Sequence, residues 1–190
     1  MSSYRVLKGV SETLRATLWE AIQAEPELTQ FVANESGIVF SNPTQAIADV
    51  AKNPALSMWL YKVDEDQYTR NSPEVRSADG SKRLGHALPL VLSYLLTPLR
   101  DEGADLMLLG KSMEALHRSA ILPSNADQGV FEDLRISLHR RSLEELTRVW
   151  EALRESYRLS VCYQVRVTQI VGDDPSGNAI VRDRVIGGGE

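Results

Sequence analysis

The sequence predicts an α+β sandwich, a mixed β-sheet flanked by about three helices and finished by a C-terminal β-hairpin. Three observations carry that prediction. Residues Ser142 to Ile170 read as one capped amphipathic helix running straight into one alternating strand. His86 to Thr97 is apolar at both odd and even positions, the pattern of a central strand covered on both faces. The element order of helix, strands, helix, strand, helix and strand pair contains no GxGxxG or P-loop sequence at a strand-to-helix turn.

The helix-strand unit is the clearest signal. Ser142 precedes Glu145 at the spacing that lets hydroxyl and carboxylate satisfy each other's backbone N–H groups, so a helix starts there. Leu143, Leu146, Val149, Trp150 and Leu153 follow as one apolar stripe, with Glu144, Arg148, Glu151 and Arg154 mostly away from it. After Leu159 the period drops to two. Val161, Tyr163, Val165 and Val167 then face one way, and Cys162, Gln164, Arg166 and Thr168 face the other as the polar side of a half-buried strand.

From the start of the chain, Tyr4 to Ala24 reads as a helix with a stripe of Leu7, Val10, Leu14, Leu18 and Ile22, ended by Pro26. Gly37 to Phe40 is a candidate edge strand, Thr44 to Lys52 a helical turn, and Leu56 to Val63 a strand. The polar stretch from Asp64 to Gly85 has no periodicity and is expected to be a long loop, either functional or flexible. Pro98 closes the central strand, and Asp101 to Ser119 forms a second long helix with acids at its start and a stripe of Leu106, Leu109, Met113 and Leu116. Pro123 to Gly129 is expected to turn, and Phe131 to Leu138 alternates as a strand. The GDDPSG turn from Gly172 to Gly177 folds Ala179 to Ile186 back as the hairpin strand, before a flexible end at 187–190.

At 190 residues the chain suits one domain spanning residues 1–190. A net charge of −5 argues against a general nucleic-acid binder, which needs a basic surplus. The single cysteine excludes an internal disulfide and any multi-cysteine zinc site, and fits synthesis in a reducing cytoplasm. Neither an export signal nor a membrane-spanning run of about 20 apolar residues is expected.

Chemistry is sparse. His86, His117 and His139 are scattered without metal-ligand spacing, and His117 suits a place near a helix C-terminus. Cys162 has no positioned His or Asp in its neighbourhood and reads as a structural thiol. The Asp64-Glu65-Asp66 run lacks the glycine and terminal glutamate of a calcium loop and reads as a solvated turn. No cofactor and no catalytic residue is expected. Arg76, Lys82 and Arg83, with Arg140 and Arg141, are basic clusters that either lie in solvent or meet an acidic protein surface. Trp59 belongs to a strand and Trp150 to a core stripe, whereas Trp19 falls one position off its helix's stripe and is the interface candidate.

Four segments resemble a known family: MWLYKVDEDQYTRN from Met58, ALPLVLSYLLTPL from Ala87, LGKSMEALHRSAIL from Leu109, and SLEELTRVWEALRESYRLSVCYQVRVTQI from Ser142. They are similar to the N-terminal domain of the cap, or tail-terminator, proteins of phage-tail-like contractile injection systems. Leu143, Leu146, Trp150, Leu153, Tyr157, Ser160, Tyr163, Arg166 and Ile170 stand at the places of that family's most specific pattern, and IVRDRVIGG from Ile180 looks like its strand after the hairpin. The stretch from Arg76 to Gly85 matches no pattern of that family, and the sequence ends soon after the resembling domain, so functions seated in a further C-terminal module are not expected of it. The resemblance implies a tail-terminator-like fold and a non-enzymatic structural protein. Its partners would be further copies of itself, in a ring of six, and the sheath and inner tube whose end it closes, with no nucleic acid and no membrane span. If sheath arms dock by strand addition, the edge to receive them is Ala179 to Ile186, where Ile180 and Val181 lie beside Arg182, Asp183 and Arg184; an inert hairpin is the alternative. Two rivals stand beside this reading. One is a small enzymatic or ligand-binding domain with residues 64–85 as a lid. The other is an assembly adaptor for a different machine.

Overall fold

The computed structural model describes residues 5–68, 88–123 and 133–167. Its elements in chain order are α1 (Val6–Gln23), α2 (Pro26–Thr29), a short 3-10 turn (Glu35–Gly37), β1 (Ile38–Val39), α3 (Pro43–Ala48), β2 (Leu56–Glu65), β3 (Leu90–Pro98), α4 (Glu102–Arg118), β4 (Ile121–Pro123), β5 (Asp133–His139), α5 (Leu143–Leu153) and β6 (Val161–Val167). The strands form one sheet in the order β1-β2-β3-β6-β5-β4. β1 runs parallel to β2, and every other neighbouring pair is antiparallel. β3 is therefore central, as its apolar residues on both parities require: Leu92, Tyr94 and Leu96 are buried on one face, Leu95 and Thr97 on the other.

The sheet lies between two unequal layers. On one face α1 and α4 pack against each other and the strands, joining Val10, Leu14, Leu18 and Leu108 to Leu92, Val165 and Leu134 in the main core. Within that core Ser11 Oγ lies 2.8 Å from Tyr94 Oη, and burial pushes the Tyr94 phenol up to about 12. On the other face α5 alone among the described helices builds a smaller core with Leu95 and Cys162. A bulge in β2 prepares this side: Leu60 pairs with Tyr94 and Lys62 with Ser93, so the extra residue Tyr61 turns toward α5 together with Lys62.

Several expectations need correction. Cys162 does not sit on a polar face. It is 3% exposed beneath α5, because the helix that β6 follows packs on the opposite side of the sheet from Val165 and Val167. In α4 the buried arc is Ala104, Leu108, Leu109, Ser112, Ala115 and Leu116, while Leu106 is 63% exposed. Leu109 and Leu116 of the expected stripe lie in that arc and Met113 packs against the core, whereas the small residues Ala104, Ser112 and Ala115 complete it where Leu106 does not. In α5 only Trp150 is fully buried, and Leu143 is left 65% exposed. Asp64 and Glu65 belong to β2 and not to a loop, and Asp66 is no solvated turn: it is 5% exposed, its N–H donates to Pro89 O at 2.9 Å, and its carboxylate accepts from Tyr68 N at 3.0 Å. Pro98 still pairs with Leu56 inside β3, and Pro26 opens α2 as well as following α1. β4 was not anticipated, because a three-residue edge strand ending in Pro123 carries no period of its own. The hairpin strand Ala179–Ile186 and the tail 187–190 lie outside the described residues, as do Arg76, Lys82, Arg83 and His86.

One end of the molecule is tied by Arg100. Its guanidinium donates to Phe31 O at 3.0 Å, to Asn53 Oδ1 at 2.6 Å and to Asn53 O at 3.0 Å, while its backbone N–H donates to Asp105 Oδ1 at 2.6 Å. This holds Asn53 in a left-handed turn (φ 42°), a conformation that asparagine tolerates better than most residues.

Candidate docking surface

The second face of the sheet, with α5 laid on it, gathers most of the residues that fit the resembling family's most specific pattern; Tyr163 belongs to the main core on the other face, and Ile170 lies outside the described residues. Ser142 Oγ accepts from Glu145 N at 3.2 Å and Glu145 Oε2 accepts from Ser142 N at 2.9 Å, completing the capping box. Arg141 donates to Glu145 Oε1 at 2.7 Å, and together with the Ser142 N–H it holds the Glu145 carboxyl below the usual range. Trp150 anchors the helix. Its ring is 1% exposed, its indole N–H donates to Ser160 Oγ at 3.3 Å, and Tyr157 packs edge-on at 6.3 Å between centroids. Arg154 then closes α5 in the left-handed conformation (φ 57°), with the Glu155 N–H donating back to Trp150 O at 3.2 Å.

Beside this anchor a cleft of about 250 Å³ opens between α5 and the sheet, lined by Tyr61, Lys62, Arg141, Leu146, Val149 and Cys162 among others. Tyr61 Oη donates to Cys162 Sγ at 3.8 Å. The ladder also sets His139 opposite Cys162 across β5 and β6, a neighbour that their separation in sequence hides. Burial pushes the Cys162 thiol up and the His139 imidazole down, so both are held neutral. A thiolate–imidazolium pair is thus disfavoured. Among the described residues no group of three His, Cys, Asp or Glu is placed to hold a metal ion. Nor is any described helix long and apolar enough to cross a membrane.

Farther along the same face the sheet becomes polar. Lys62 pairs with Asp64 at 2.9 Å, Arg166 approaches Asp66 at 3.8 Å, and the Arg166 guanidinium lies over the Tyr68 ring. Of the interface residues expected from the sequence, Arg140 is exposed between β5 and α5, and Arg141 is partly covered and paired with Glu145. Trp19 is half-buried on α1, on the opposite side of the sheet, so it does not share a patch with the arginines. Ile180, Val181, Arg182 and Arg184 fall outside the described residues. Leu143, more than half exposed at the start of α5, is surface although the helical stripe assigns it inward; Leu138 is also more than half exposed, but it pairs with Tyr163 and so lies on the other face of the sheet with Leu134 and Ile136.

A family model described as the Pvc16 N-terminal domain matches residues 9–182, nearly the whole chain. The chain belongs to that family. No curated protein sequence matches it. Among solved structures, this Pvc16 N-terminal domain is similar to the sheath/tube terminator of an extracellular contractile injection system, PVC, in its extended state, with 17% identity, a TM-score of 0.64, and coverage of 96% of this chain and 62% of that one. It is also similar to the tube-terminating cap of the anti-feeding prophage, with 20% identity, a TM-score of 0.50, and coverage of 67% of this chain and 47% of that one. The chain thus spans about half to three-fifths of the length of the terminators it matches. At these identities the likeness is one of fold: a mixed six-stranded sheet carrying helices on both faces, as in a terminator domain.

Proposed function

We propose that this Pvc16 N-terminal domain seats on the end of a sheath-and-tube assembly and stops its growth, as a structural part of an extracellular contractile injection particle. The observation that carries the reading is the match of fold over 96% of the chain to a sheath/tube terminator, within a family that covers residues 9–182. Physical sense agrees with it. A growing tube presents unsatisfied edges on its last ring, and a subunit complementary to that ring on one face only ends the series. Copies of the chain form a closed ring of six on the terminal ring, contacting sheath and tube, with no nucleic acid. On this reading the protein is a structural part and performs no catalysis. On the same reading synthesis and assembly take place in the cytoplasm, and the particle is then released or held at a membrane. The second sheet face, with Leu143 exposed on α5, is the surface offered to the particle.

Deleting the gene in a producing cell tests this. Sheath and tube are expected to polymerise to uncontrolled lengths without it, and to return to uniform length when the protein is supplied. A length distribution that deletion leaves unchanged overturns the reading.

A further inference from the structure

α5 is held to the sheet far more lightly than the helices on the opposite face. α1 and α4 each bury six residues, whereas α5 buries only Trp150 and leaves Leu146, Val149 and Leu153 partly covered. The core beneath it consists of Leu95, Trp150 and Cys162 and is separate from the main core. The cleft of about 250 Å³ undercuts the helix, so Leu146 and Val149, which line it, lack packing partners on that side. Polar bonds do not make up the difference. Among the described residues, the hydrogen bonds of α5 side chains all close within residues 141–160: Glu145 with Arg141 and Ser142, Thr147 with Leu143 O, Arg148 with Glu144, and Trp150 with Ser160. None fastens the helix to β2 or β3. Arg141, which precedes the helix, lies beside the Tyr61 hydroxyl and marks where the fixed part of the chain ends. Beyond the other end, residues 154–159 run exposed and without regular structure from the left-handed Arg154 to the start of β6.

We infer that α5 is a strap that lifts off the sheet as one unit, pivoting at residues 140–142 and 154–160, while α1, α4 and the main core stay closed. Local opening costs anything from almost nothing up to the full free energy of unfolding, and segments with few buried apolar contacts open first. For α5 the opposing energy is the burial of one whole side chain and three partial ones. The sheet itself stays paired, because α5 takes no part in the β2–β3 or β3–β6 ladders. An isolated helix of 11 residues is marginal in water, which keeps the open state a minor one. Lifting turns Leu95 and Cys162, with the partly covered Trp59 and Tyr61, from interior into surface. The second sheet face therefore has a closed state under α5 and an open, apolar one, whether or not the domain caps a tube.

Cys162, the single cysteine of the chain, lies beneath α5 at 3% exposure and reports the opening. Its labelling by a bulky aromatic disulfide reagent is measured on the full chain at low denaturant concentrations, against the global unfolding equilibrium of the same protein. Labelling should be at least about tenfold faster than global unfolding allows, with a denaturant dependence shallower than the global one but not zero, since opening exposes only part of the surface. Leu146→Ala should speed it at least about fivefold. Ile22→Val, a truncation in the main core, should leave it unchanged, although labelling through global unfolding would quicken about two- to tenfold. Labelling that follows global unfolding, or that Ile22→Val and Leu146→Ala quicken alike, overturns the inference. So does a rate with no denaturant dependence, which would mean that the reagent reaches Cys162 through the closed cleft.

Discussion

Trp150 is the residue on which the α5 side of the molecule depends. It fills the small core against Leu95 and Cys162, and its indole N–H is satisfied by Ser160, which itself donates to Arg158 O at 3.2 Å. Truncation therefore removes a large apolar volume and leaves the Ser160 hydroxyl without the indole donor. Trp150→Ala should cost about 3–5 kcal/mol in equilibrium denaturation, while Trp150→Phe, which keeps most of the volume, should cost clearly less. Equal losses for the two would mean that packing against the sheet is not what Trp150 contributes. The sequence made this residue legible, because its place in a stripe after a capping box fixes both the helix and its phase. Cys162 was not legible in the same way. Alternation shows that it opposes Val161 and Val165, but says nothing about which face a later layer covers, and α5 covers the face with fewer apolar residues.

At the scale of elements, local chemistry decided what could be read. α1, α4, α5, β2, β3 and β6 announce themselves by period and cap, and their observed bounds lie close to the expected ones. What escaped depends on partners: the phase of α4, set by Ala104, Ser112 and Ala115 facing neighbours; the bulge at Tyr61; the edge strand β4; and the burial of Asp66 by Pro89 and Arg166. The candidate docking surface was legible in part for the same reason. Arg140 could be named, whereas Leu143 becomes surface only once α5 is seen to bury Trp150 and little else.

The cap of α5 makes a prediction for pH. The Ser142 N–H, and after it Arg141, lower the pKa of Glu145 in the folded chain, so the ionised carboxylate stabilises the fold. That contribution is complete above the ordinary value of 4.5 and is lost as pH falls through the lower folded value. Unfolding midpoints should therefore decline more steeply in acid for the native chain than for Glu145→Gln. The two curves should converge at the acid end, and parallel curves would show that the cap does not sense protonation.

At the scale of the whole molecule the sheet presents two different sides. One is closed by α1 and α4 over the main core, and the other is half covered by α5 and half polar. Two-sidedness of this kind is what a terminator needs, since one side must fit the last ring and the other must fail to propagate it. The most direct test of that claim is cryo-microscopy of intact particles carrying this chain. The account predicts density for the chain only at one end, as a closed ring of six copies with α5 and the second sheet face turned toward sheath and tube. Density distributed along the shaft, or particle ends closed without the chain, would contradict it.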